Sequence, residues 1–270
     1  MYAPEQCSVR GFPDVSVFYG GRVCASQAER VADAIGRELD LRGISGGARV
    51  RLKTGNCGGG PMLVQVNLRI GDTPARVVAV TAGIDDLRPA LARLERQIDR
   101  VAAPWCPRPW PDPTRRMLTV LPGAIVTRRK SVALQRATPS QAVAVMDAMD
   151  YDAHLFTDAE TGEDAVVYRA GPSGLRLARQ HHVFPPGWAW SPHDSGRPVP
   201  LIVNSRPTPT VAEETAVRRA CAHGLRMLFF TDPASGRGRL LYPRYDGDVG
   251  LIIPTADGPR VPRDRSRKRG

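Results

Sequence analysis

Apolar residues along positions 14–103 recur with two alternating periods. Val15, Val17 and Tyr19 stand at every second residue, which predicts a short strand. Ala28, Val31, Ile35 and Leu39 follow at helical spacing; Ser26 and Glu29 predict a capping box where that helix starts, and Gly43 its end. Ala48, Val50 and Leu52 then interleave with Arg49, Arg51 and Lys53, the pattern of a half-buried strand with a cationic outer face. Gly55-Asn56-Cys57-Gly58-Gly59-Gly60 reads as a reversal into a strand over Met62–Ile70, and Gly71-Asp72 as a turn into another over Ala75–Thr81. From about Asp85 to Val101, the residues Leu87, Leu91, Leu94, Ile98 and Val101 form one helical stripe. Arg93, Arg96 and Arg100 fall within ~60° of one another at roughly 100° per residue and point away from that stripe. The predicted order is β-α-β-β-β-α, a four-stranded sheet with two helices on one face.

The pattern breaks over residues 104–123, where Pro104, Pro107, Pro109, Pro111, Pro113 and Pro122 forbid a helix and predict a stiff, extended linker. Its Trp105 and Trp110 either pack back on the first domain, residues 1–103, or anchor the linker to another surface. Beyond it the sequence repeats itself. Phe156-Thr157-Asp158-Ala159-Glu160-Thr161-Gly162 returns as Phe230-Thr231-Asp232-Pro233-Ala234-Ser235-Gly236, 74 residues on. The same offset takes Tyr168 to Tyr242 and Ala142 to Ala216, and Gly174-Leu175 answers Gly250-Leu251 after a short insertion. Each copy (124–180 and 199–257, separated by a loop over 181–198) reads as a strand, a short helix and a hairpin. A unit of roughly 55 residues buries too little apolar surface to stand comfortably alone. The two copies are therefore expected to cover each other, with Phe156, Tyr168, Phe230 and Tyr242 in the core of their interface. The fold class is α+β, with an intramolecular pseudo-dimer following the first domain and a basic tail over 258–270.

Charge changes the picture from fold to partner. The chain carries a formal net charge of +11 in 270 residues, distributed unevenly. Residues 1–103 hold 14 basic and 11 acidic side chains, residues 104–130 hold 6 and 1, residues 131–257 hold 12 and 14, and the last thirteen hold 6 and 1. Basicity concentrated in the connector and tail fits docking on a polyanion at several points, or a solubilising surface. The cysteines Cys7, Cys24, Cys57, Cys106 and Cys221 form no CxxC, so neither a disulfide framework nor a structural metal is expected. No secretory signal and no apolar run of ~20 residues is present, which predicts a cytoplasmic chain with no membrane partner. Catalytic constellations fail one by one. Residues 55–60 lack the order of a phosphate loop, His181-His182 lacks spaced co-ligands, Cys106 lacks a base, and Asp158 with Glu160 sits in a repeated turn. No enzyme activity, cofactor or metal is expected.

Asp85-Asp86-Leu87 followed by Leu94-Glu95-Arg96-Gln97-Ile98, and the segments LFTDAETGEDAVVYR (155–169) and FFTDPASGRGRLLYPRYDGDVGLIIP (229–254), resemble the S30AE family of ribosome hibernation factors. The resemblance extends to the long-form, actinobacterial hypoxia-linked branch and covers nearly the whole chain outside linker and tail. It implies that the first domain occupies the mRNA and tRNA region of the small subunit of 70S ribosomes, against 16S rRNA and ribosomal proteins, and blocks translation during dormancy. Long bacterial forms carry one C-terminal module that dimerises and joins two ribosomes into 100S particles. Two modules in this chain are expected to pair with each other, leaving it monomeric and the ribosomes unpaired. The alternatives are a long form that does make 100S particles, or a stress regulator binding other nucleic acid.

Such a factor needs cations held on rRNA phosphates by a rigid scaffold. Arg93, Arg96 and Arg100 match basic family positions, although Asp99 stands where members often carry a basic residue. The sheet face with Arg49, Arg51, Lys53 and Arg69 is a second candidate. So are Arg30 and Arg37 on the first helix, where Asp33 and Asp40 leave a mixed-charge solvated face as the alternative. Linker residues Arg108, Arg115, Arg116, Arg128, Arg129 and Lys130, with Arg265, Arg267, Lys268 and Arg269 of the tail, are expected to add unspecific phosphate contacts or to serve as solubilising charge.

Overall fold

The computed structural model describes residues 7–11, 14–20, 23–54, 61–106, 108, 110–112, 115, 117–170, 174–183, 189–190, 199 and 201–255. The reversal expected at 55–60, Arg116, most of the inter-repeat loop and the basic tail, with Arg265, Arg267, Lys268 and Arg269, lie outside the described residues. The chain divides into two compact units, Met1–Arg116 with Ala144–Asp152, and Met117–Val143 with Ala153–Gly270.

In the first unit the strands are β1 (Cys7–Gly11), β2 (Val15–Tyr19), β3 (Ala48–Thr54), β4 (Met62–Ile70) and β5 (Thr73–Thr81), and the helices α1 (Ala25–Leu41) and α2 (Arg88–Ala102). They form one sheet in the order β1-β2-β3-β4-β5. Only β2 and β3 run parallel, because α1 carries the chain back between them; the other neighbours are antiparallel. The inward residues Val15, Val17, Val50, Val64, Val66 and Val77 meet Val31, Ile35 and Leu39 of α1 and Leu94 and Ile98 of α2 in a single core. Each of these side chains, removed from water, contributes about 1.5–3 kcal/mol.

Three details depart from the sequence reading. An edge strand, β1, joins the four expected; its one inward apolar side chain, Val9, gave too little pattern to register. The first helix starts at Ala25, and the Oε1 of Gln27 accepts the N–H of Cys24 at 3.1 Å, so the cap lies two residues before the expected Ser26–Glu29 pair. The second helix begins at Arg88, with Pro89 in its first turn, rather than at Asp85.

The second unit holds β6 (Val126–Val132), β7 (Arg136–Ala137), β8 (Ala153–Asp158), β9 (Asp164–Tyr168), β10 (Arg176–Arg179), β11 (Ala189–Trp190), β12 (Leu201–Val203), β13 (Leu228–Thr231), β14 (Gly238–Pro243), β15 (Val249–Pro254) and helix α4 (Glu213–Ala222). Helix α3 (Pro139–Ala148) straddles the division between the units at residue 144. Two sheets form, β11-β12-β10-β9-β8-β7 and β13-β14-β15-β6. Their orders reveal an exchange. The first strand of repeat 1, β6, lies parallel to β15 in the sheet of repeat 2, and the first strand of repeat 2, β12, lies parallel to β10 in the sheet of repeat 1. The two repeats therefore pair within one chain.

Leu134, Leu155, Val166 and Ala178 of repeat 1 pack with Phe229 and Leu240 of repeat 2, joined by Tyr168, Met227 and Ile252. Of the residues expected in this interface, Tyr168 is there. Phe230 instead packs under α4 with Ala216, Ala220, Leu241 and Leu251, because successive strand residues face opposite ways and Phe229 takes the interface side. Phe156 likewise stands on the other face from Leu155, its ring 6.3 Å from that of His154. The Tyr242 ring lies against Gly250, with Lys130 Nζ 5.5 Å from its centroid. Among the described residues no helix is long and apolar enough to cross a membrane.

Candidate nucleic-acid interface

The five-stranded sheet turns its second face away from the helices. Strand alternation and register place Arg10 on β1, Ser16 and Phe18 on β2, Arg49, Arg51 and Lys53 on β3, Gln65, Asn67 and Arg69 on β4 and Arg76 on β5 on that face. No outward position of these strands holds a carboxylate. The Arg49 guanidinium lies 5.2 Å over the ring of Phe18, which fixes a cation without neutralising it. Asn67 knits the face together: its Nδ2 donates to the Arg49 carbonyl at 3.3 Å, and its Oδ1 accepts from Arg76 Nε at 2.9 Å. Arg69 Nη2 donates to the Asp72 carbonyl at 2.8 Å. The result is a partly ordered cationic surface carrying an aromatic ring and amides, suited to phosphates and exposed bases. Sequence reading missed Arg10, because β1 was not expected, and Arg76, although its strand was expected over Ala75–Thr81.

The helices present a different surface. Arg37, Arg96 and Arg100 are exposed and, among the described residues, make no ion pair. Arg42, reaching from the end of α1, binds Glu38 at 2.8 Å and both Glu95 and Asp99 of α2. The carboxylates beside Arg96 and Arg100 are thereby compensated from within, including the Asp99 that departs from the family pattern. Arg30 pairs at 3.0 Å with Asp85, both well exposed, an interaction of little energy.

Arg93 is not part of this surface. Its side chain is 8% exposed, with Nη2 3.0 Å from Oδ1 of Asp150. Asp150, itself buried and at φ 51°, also accepts from Arg108 Nη1 at 3.2 Å and Arg115 Nη1 at 2.8 Å, while its Oδ2 accepts the β5 backbone N–H of Val78 at 3.1 Å. Gln97, one helical turn beyond Arg93, donates to the carbonyls of Asp147 and Ala148 at the end of α3, and Trp105 Nε1 donates to Asp147 Oδ2 at 2.8 Å. Burial by itself would raise the carboxyl of Asp150; the Arg115, Arg93 and Arg108 guanidiniums outweigh it and hold that carboxyl below its ordinary range. Arg93, Arg108 and Arg115 are thus corrected from phosphate ligands to buried structural cations. The stretch after α2, expected as an extended spacer, is held to its own unit through 115. The covering segment lies some fifty residues downstream, so nothing local in α2 could announce it. Arg128 is exposed, whereas Arg129 pairs with Glu213.

Among the described residues no cluster of three or more His, Cys, Asp or Glu side chains is placed to hold a metal. Residues 123–177 match the sequence profile described as sigma 54 modulation/S30EA ribosomal protein C terminus. The chain is also 70% identical, over 256 residues that make up 95% of it and 94% of the relative, to the dormancy associated translation inhibitor of Mycobacterium tuberculosis, in strains CDC 1551 / Oshkosh and ATCC 25618 / H37Rv alike. The chain belongs to the S30AE family. In this S30AE chain the matched segment is repeat 1, running from before β6 into β10. The strand that repeat 1 donates to its neighbour is therefore part of the family's own module.

Proposed function

We propose that this S30AE protein is a cytoplasmic translation inhibitor of dormant cells that sits on the small subunit of 70S ribosomes and blocks the path of messenger and tRNA without catalysis. The observation that carries the reading is the outer sheet face of the first unit, cationic at Arg10, Arg49, Arg51, Lys53, Arg69 and Arg76, with no carboxylate at an outward strand position and only the exposed turn residue Asp72, 3.9 Å from Arg69, beside it. Arg96, Arg100 and Arg37 supply a second set of phosphate contacts from the helices, and Arg128, Arg116 and the tail add unspecific ones. The name of the mycobacterial relatives supports both inhibition and dormancy. Pairing of the repeats inside the chain occupies the face that a one-module form would offer to a second molecule, so the protein silences single particles and remains monomeric.

Co-sedimentation with purified 70S ribosomes, together with translation in a reconstituted system, tests this. Arg49→Glu with Arg51→Glu should weaken ribosome binding roughly tenfold or more and relieve inhibition to match. Inhibition that survives the reversal, or equal affinity for free duplex DNA, would overturn the reading. A 100S peak in a sucrose gradient would overturn its single-particle part alone.

A further inference from the structure

Asp164 opens β9 and Gly238 opens β14, 74 residues apart, so they are counterparts in the two repeats. They also touch: the N–H of Gly238 donates to Oδ2 of Asp164 at 2.8 Å. A residue that meets its own counterpart lies on the two-fold axis of a pairing, and at this axis the two halves are chemically opposite. A Cβ at Gly238 would stand 2.8 Å from the Cβ of Asp164 and 2.6 Å from the ring of Phe229. Asp164, 3% exposed, takes its compensating charge from Arg237, whose Nε is 2.8 Å from Oδ2 and Nη2 3.1 Å from Oδ1. The repeat-1 counterpart of Arg237 is Glu163, which is engaged with the backbone and ring of His182.

We propose that Asp164, Arg237 and Gly238 restrict the repeats to pairing unlike with unlike. Repeat 1 against a second repeat 1 would bring two buried Asp164 carboxylates together with a Glu163 beside each and no cation to compensate them. Repeat 2 against repeat 2 would set Gly238 against Gly238, leaving a gap where the carboxylate stood and two Arg237 guanidiniums without it. Burying two uncompensated carboxylates is strongly unfavourable, and the repeat-2 pair forfeits the packing and the ion pair that Asp164 supplies, so neither like pairing competes with the one inside the chain. The module face is then barred from recruiting a second copy by its chemistry as well as by occupancy. This deepens the single-particle reading and rests on it only for its consequence on ribosomes.

Thermal unfolding of the full-length protein tests the restriction. Gly238→Asp should lower the midpoint by ~5 °C more than Gly238→Ala, which carries the same added Cβ without the charge. Adding Asp164→Gly should recover a large part of that loss. Arg237→Glu, at a side chain one-third exposed and with no room to find, imposes the repeat-1 charge without bulk; it should lower the midpoint at neutral pH, and Asp164→Asn in that background should restore it. Equal effects of Asp and Ala at 238, or simple additivity in both pairs, would overturn the proposal. Ribosome binding by the same variants is read separately: additivity with inhibition intact removes the axis restriction and leaves the proposed function standing.

Discussion

Two buried titratable residues set opposite ends of the acid response. His154 is stacked on Phe156 in β8, and burial pushes its imidazole down to about 4. In the unfolded chain the ring takes its proton near 6.5, so between those values only the unfolded state is protonated and acid draws the equilibrium toward it. The expected cost is about 3 kcal/mol by pH 4. Chemical denaturation followed from pH 7 to 4 should show it, and His154→Phe should remove most of the slope; an unchanged slope would show that other groups carry it. Asp150 acts lower on the scale. Its depressed carboxyl stabilises the first unit fully above the ordinary carboxylate range and ceases to do so as pH falls through its folded value. Asp150→Asn should cost roughly 3–5 kcal/mol at neutral pH, because three guanidiniums keep their burial and lose their charge partner. A loss below 1 kcal/mol in the same denaturation experiment would mean that the neighbouring carboxylates suffice: Asp112, 3.5 Å from Arg93, Asp147, 3.8 Å from Arg108, and Asp152, 2.8 Å from Arg115.

At the scale of elements, much of what is legible locally agrees with the structure, the cap of α1, the start of α2 and the edge strand β1 excepted. The span Met62–Ile70, the stripe of Leu94 and Ile98 and the turn at Gly43 all follow from period and backbone conformation, which the sequence carries within a few residues. The helical wheel also placed Arg93 beside Arg96 and Arg100 as equals, and there it failed. A wheel sees charge and angle, whereas burial depends on what arrives from elsewhere in the chain. Gln97, a polar residue one turn after Arg93 and likewise buried, lies on the same covered face of α2, and its residue type carries no local sign of that burial. The separation is testable along a single helix. Arg93→Glu should lower the unfolding midpoint of the protein, while Arg96→Glu with Arg100→Glu should leave it nearly unchanged and weaken ribosome binding. Equal behaviour of the two variants in both assays would return Arg93 to the binding surface.

Over the whole chain, the repeat was legible because a seven-residue segment sharing Phe, Thr, Asp and Gly recurs at a fixed offset, and pairing followed from the size of one copy. The exchange of β6 and β12 was not, since two copies of one pattern offer each first strand two equivalent sheets to join. Charge distribution is the property of the complete molecule that most constrains its partner. The outer sheet face has its cations spread over four of five strands with no carboxylate among them, so binding should release several counterions at once. Ribosome affinity measured against monovalent salt should therefore fall on a log–log slope of about −3 or steeper, and Arg49→Glu with Arg51→Glu should flatten it by about two units. The same pair of substitutions leaves the core residues Val50 and Leu52 on the opposite side of β3 untouched, so the unfolding midpoint serves as an internal control. A slope near zero in the wild type would mean that shape and apolar contact, rather than phosphate, hold the protein on its target; a steep slope insensitive to Arg49 and Arg51 would move the electrostatic contact to α2 or to the basic tail.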